Sequence, residues 1–154
     1  MTMKPSFRSF AALLIAAAFS LGLSNSAQAA PRNTDKTGKA LQGYDPVAFF
    51  TEGKAVKGKP LIHSAVAGAT YYFSSEENKV AFDKNPTKYE PQFGGWCAYG
   101  VTQGSKVEIE PEAFQVVDGR LLLQYSKGIR DKFNKDTKGN LKVADAKWPE
   151  VSKK

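Results

Sequence analysis

The chain has 154 residues, 22 Lys and Arg against 15 Asp and Glu, a formal net charge of +7, one His, one Cys and two Met. That length suits one domain with a single core, and its scattered lysines give solubility or weak attraction to anionic surfaces rather than a nucleic-acid footprint. The inventory excludes a Cys/His structural zinc site, which needs four such ligands, as well as a methionine-rich copper site and an internal disulfide.

In chain order, residues 1–29 predict a signal peptide. Lys4 and Arg8 precede the apolar run Phe10–Leu23, and Ala27-Gln28-Ala29 offers small residues for cleavage after Ala29. The expected location is periplasmic or secreted. No cysteine directly follows the apolar run, so no lipid anchor is expected. Loss of the segment would remove both methionines and two positive charges. Residues 30–40 are polar and expected to be flexible, and the domain is expected over residues 41–151.

Tyr44-Asp45-Pro46 predicts a turn into a short helix with Pro46 at its first position, and residues 51–60 a loop. Residues 61–66 and 69–73 predict a hairpin across Ala67-Gly68, with His63 facing Tyr72 and Ser64 facing Tyr71. Ile62, Val66, Tyr71 and Phe73 would then share the apolar face. "SSEENKVAF" predicts a helix ending near Asn85, with Ser74 as N-cap and Glu77 completing a capping box. Pro86–Tyr89 predicts a second short helix capped by Asn85, and residues 96–103 one or two helical turns. Asp118-Gly119 is the clearest hairpin turn, joining strands over residues 114–117 and 120–125. Phe114, Val116, Leu121, Leu123 and Tyr125 would form its apolar face. Ser126 should cap a helix through Phe133, and "ADAKWPEV" a last short helix docking Trp148. The expected fold is α+β: a single small domain with two β-hairpins and several short helices.

Two stretches, "YDPVAFF" and "GATYYFSSEENKVAFDKNPTKY", resemble the YHS domain family over Tyr44–Tyr89. The continuation through "FGGWCAYGV" is similar to its exported bacterial branch, described as YHS domain-containing (seleno)proteins. The remainder of the expected domain is a C-terminal extension. In metal-binding modules of this type, the resemblance places cysteines after Asp-Pro-Val, after the aromatic triplet, and four residues further on. Those positions are Ala48, Ser74 and Asn78 here. The resemblance therefore brings no zinc site with it.

Cys97 and His63 are the candidate site residues, as catalytic pair or as metal ligands. Two soft ligands suit Cu(I). An exported thiol is either hidden or used, and the first turn of a helix favours a reactive thiol. The two side chains are expected to share a pocket lined by Tyr72, Trp96 and Tyr99. Three readings follow: a binding module for a soft metal or small ligand, a redox enzyme with Cys97 as thiol and His63 as base, and a structural interaction domain with Cys97 in the core. Enzyme status is open. The expected partner is a small ligand or an external thiol, with no nucleic acid and no membrane anchor, acting on a monomer.

Overall fold

A computed structural model describes residues 31–154. The predicted signal peptide and its cleavage after Ala29 lie outside the described residues. The elements are α1 (Ala48–Thr51), β1 (Lys59–Val66), β2 (Ala69–Phe73), α2 (Glu76–Lys84), α3 (Pro86–Tyr89), α4 (Ala98–Thr102), β3 (Glu110–Val117), β4 (Arg120–Gln124), α5 (Lys127–Phe133) and α6 (Thr137–Val151). Two antiparallel two-stranded sheets and short helices make an α+β fold.

Both hairpins have the predicted turns. His63 pairs with Tyr72 and Ser64 with Tyr71. Phe114 pairs with Leu123 across Asp118-Gly119, both of which take positive φ. That conformation matches the twist of the flanking strands. Each hairpin carries a register irregularity where its first strand begins, between Lys59 and His63 and between Glu110 and Phe114.

The core has two parts. One gathers Val47, Phe49, Tyr71, Phe73, Phe82, Leu121 and Leu123. Phe82 lies 5.0 Å from the Tyr71 ring and 5.1 Å from Phe73, in tilted pairs that each contribute about 0.5–1.5 kcal/mol beyond burial. The other gathers Leu122, Phe133, Leu141, Ala144 and Val151 around Phe93. Strand β4 lies between them, which explains why Leu121, Leu122, Leu123 and Gln124 are all buried. The predicted alternation is corrected accordingly: Val116 and Tyr125 are exposed, and Leu122 is core.

Three other expectations change. Ser75, not Ser74, caps α2, with its hydroxyl accepting from the Asn78 N–H. Helix α1 starts at Ala48, so Pro46 sits in the preceding turn. The last helix is long: α6 begins at Thr137 with Asp136 as cap, runs through Gly139 and carries Pro149 in its final turn. Residues 31–40, the described part of the 30–40 segment expected to be flexible, make hydrogen bonds to the rest of the domain. Asn33 donates to the Gly94 carbonyl at 2.7 Å, Ala40 to Thr70 at 2.9 Å, and Arg32 pairs with Glu90 at 2.6 Å. Among the described residues no helix is long and apolar enough to cross a membrane.

Candidate functional site

Asp45 enters α1 from a turn and is fully buried. A buried carboxylate must be hydrogen-bonded or neutralised. Its Oδ1 accepts the N–H groups of Val47 at 2.8 Å and Ala48 at 3.3 Å. Its Oδ2 accepts the Ser74 N–H at 2.8 Å, the Ser74 hydroxyl at 2.7 Å and the Asn78 amide at 2.7 Å. The three positions where the resemblance places cysteines thus converge on one carboxylate. The Ser74 hydroxyl serves this cluster, which is why the cap of α2 passes to Ser75.

Cys97 lies at the start of α4 and belongs to the same part of the core as Val47 and Phe73. It is 1 % exposed, its N–H donates to the Val107 carbonyl at 3.0 Å, and it bridges Leu123 as a parallel neighbour of β4. Its thiol donates to Gln124 Oε1 at 3.3 Å. The sulfur accepts N–H groups from Gly100 at 3.4 Å and Tyr125 at 3.3 Å. Gln124 Oε1 also accepts the Tyr99 N–H at 3.0 Å, while its Nε2 is buried without a partner. The Tyr99 donor fixes the amide orientation, since the flipped amide would set two donors against each other.

Beside the sulfur is a groove of about 260 Å³, with apolar walls from Tyr99, Val107, Tyr125 and Ile129. Gly100 forms part of it. A Cβ on Gly100 would stand 2.8 Å from Val107 Cγ2, so only glycine lets α4 approach Val107 this closely. A second hollow of about 280 Å³ lies at Asn33, Asp35, Lys39 and Glu108. There Asp35 is engaged by Thr37 and Lys39, and Asn33 by Glu108. Hydrogen bonds from Thr37 and Lys39 outweigh the desolvation that opposes them, and hold the Asp35 carboxyl well below the usual carboxylate range.

Cys97 and His63 are not brought together. His63 is exposed on β1, its Nδ1 is 2.8 Å from the Pro60 carbonyl oxygen, and its ring sits edge-on to Tyr72 at 6.4 Å. The expected common pocket is corrected: of Tyr72, Trp96 and Tyr99, only Tyr99 lines the groove beside Cys97. Tyr72 stays with His63 on the first hairpin. Trp96 is half-buried with its Nε1 unpartnered and Lys106 at 5.6 Å from the ring. As residues of the groove, Val107, Gln124, Tyr125 and Ile129 were not among the expected site residues. The polar Gln124 closing a run of three leucines was the available signal.

Residues 47–93 match the YHS domain family. The match takes in α1 through α3 and stops before Cys97. No curated protein and no solved structure matches the chain. Metal binding is ascribed to the YHS family. The YHS segment is compatible with that class in fold, but its donor set does not fit a thiolate metal site. Ala48 offers no side-chain donor atom, Ser74 and Asn78 spend theirs on Asp45, and Asp45 is the sole carboxylate in the cluster. Among the described residues no group of three or more His, Cys, Asp or Glu is placed to hold a metal ion.

Proposed function

We propose that the protein is an exported binding module of the YHS type that seats a small organic ligand in the groove beside Cys97. The observation that carries this reading is the groove itself: four apolar walls meeting over a buried thiol. Apolar concavities with a few placed polar groups are where small ligands bind. By scaling from a 150 Å³ cavity that admits benzene, about ten non-hydrogen atoms would fit. Cys97 contributes a polarizable floor. The test is a titration of isotope-labelled protein with small aromatic probes such as indole, followed by backbone resonances. Shifts confined to Gly100, Val107 and Tyr125, and lost when Val107→Trp fills the groove, are expected. Shifts centred on the Asn33–Glu108 hollow would move the site elsewhere.

Thiol exchange at the same place is the second reading, favoured by the two N–H groups converging on the sulfur. Such donors stabilise a thiolate. Cys97 would attack an external disulfide, form a mixed disulfide and release one external thiolate. Incubation with glutathione disulfide and intact-mass measurement decides it: an unmodified native protein over hours rules the exchange out.

A further inference from the structure

Around the groove, positive charge is left without carboxylate partners. Ile129 forms one wall, and Lys132 follows three residues later on α5, on the same side of that helix. The Lys132 ammonium stands 5.0 Å from the centroid of the Tyr99 ring, another wall. Gln103 and Ser105 lie at the groove's polar edge. The carbonyls on either side of Gln103 each hold a lysine: Lys147 donates to Thr102 O at 2.6 Å and Lys154 to Gly104 O at 2.8 Å. A carbonyl partner satisfies an ammonium without neutralising it. None of the ion pairs among the described residues includes Lys132 or Lys147, whereas the charge of Lys154 also acts on the Glu150 carboxylate.

An apolar cleft with one unpaired cation, Lys132, against its Tyr99 wall and a second, Lys147, one residue from its Gln103 edge selects for a molecule with an apolar body and one anionic end. We infer that the ligand is an amphiphilic monocarboxylate of about ten non-hydrogen atoms. Its hydrocarbon or aromatic part lies between Tyr99, Val107, Tyr125 and Ile129, and its carboxylate points outward to the lysine rim. This rests on the groove reading above and adds the chemical class. The apolar walls supply most of the affinity by burial, while the charges choose between acid and neutral analogue and speed encounter. Being at the surface, each lysine contributes modestly and in a salt-dependent way.

The test compares 3-phenylpropionate with 3-phenylpropanol, of nearly equal size, as probes of the purified protein. At low ionic strength the acid is expected to bind roughly three- to tenfold tighter, the sum of a few exposed charge pairs. The gap should narrow in 0.5 M salt. Lys132→Gln should remove about half of the preference on a logarithmic scale, read as the ratio of acid to alcohol affinity in the same variant. Lys84→Gln, which removes the same charge from α2, should leave the preference intact. Equal affinity for acid and alcohol overturns the carboxylate inference while the groove reading stands. Loss of preference in both lysine variants alike also overturns it, because net charge alone would then explain the effect. Binding of neither probe at the groove overturns both.

Discussion

Asp45 and Cys97 are both buried polar side chains that sit just ahead of a short helix and accept at least two backbone N–H groups, one of them from that helix. They differ in what is left over. Around Asp45 each carboxylate oxygen has at least two donors, and neither of the two hollows described above is lined by a residue of the cluster. Around Cys97 an amide nitrogen is orphaned and a groove lies alongside. A buried group that is fully satisfied contributes to stability, and one with spare capacity next to a void is poised for a ligand. The position where the family resemblance places metal ligands is taken up by structural hydrogen bonds, and the groove proposed to seat a ligand lies outside the matched segment.

Removing the Asp45 carboxylate should give the largest effect. Asp45→Ala strands the Ser74 and Asn78 donors and the N–H groups that start α1. Each buried unsatisfied group costs about 1–3 kcal/mol, so a loss of at least ~3 kcal/mol is expected in urea denaturation. A loss below about 1 kcal/mol would mean that the cluster is not the anchor its geometry suggests.

The adjacent serines sharpen the contrast. Ser74→Ala removes a hydrogen bond to a charged acceptor and should cost about 2 kcal/mol. Ser75→Ala removes an N-cap and should cost about 1 kcal/mol. The reverse order would restore Ser74 as the cap. Ser74→Cys alone should not take up zinc tightly, because Ala48 and Asn78 add no thiolate. Calorimetric zinc binding by that variant would contradict the account of the cluster.

Cys97→Ser should be milder, at about 1 kcal/mol. A hydroxyl still accepts from Gly100 and Tyr125 but fills less space than sulfur. A loss as large as that of Asp45→Ala would erase the distinction between a saturated cluster and a tolerant groove floor.

How legible was this in the sequence? The hairpins were, because Asp118-Gly119 and Ala67-Gly68 fix both turn and register. Helix α3 was, because Asn85 and Pro86 set its start. The three converging positions 48, 74 and 78 were visible through the family resemblance, but their common partner Asp45 was not: an Asp before Pro equally suits a solvated turn. Helix α6 was hidden by Gly139 and Asn140, whose low propensities are overridden by Leu141, Ala144 and Val151 packing with Ala98 and Val101 of α4, Phe93 and Leu122. The pairing of His63 with Cys97 failed for a simpler reason. Being the only imidazole and the only thiol in the chain is a fact of composition, and composition carries no distance. Tyr125 was misplaced because period-two reading continues a strand that in fact ends at Gln124, where the chain turns out to start α5.

The smallest effect separates a surface carboxylate from the buried one. Asp83 on α2 is hydrogen-bonded by Lys79 and by the Ser64 hydroxyl of β1, tying helix to hairpin. Those bonds, Lys79 first, hold its carboxyl below the ordinary range. A depressed folded value means that the contribution is fully present above the unfolded pKa of about 3.9 and is lost as pH falls through the folded value. Because the side chain is 42 % exposed, solvent screening keeps the contribution small. The melting temperature of Asp83→Asn should therefore run slightly below that of the parent protein by a constant margin between pH 7 and about 5. The two curves should converge only as pH falls from the unfolded value of about 3.9 through the depressed folded value, where the parent carboxyl takes up its proton. A margin that widens on acidification has the wrong sign for a depressed carboxylate, and would show that the tie between α2 and β1 does not depend on the charge of Asp83.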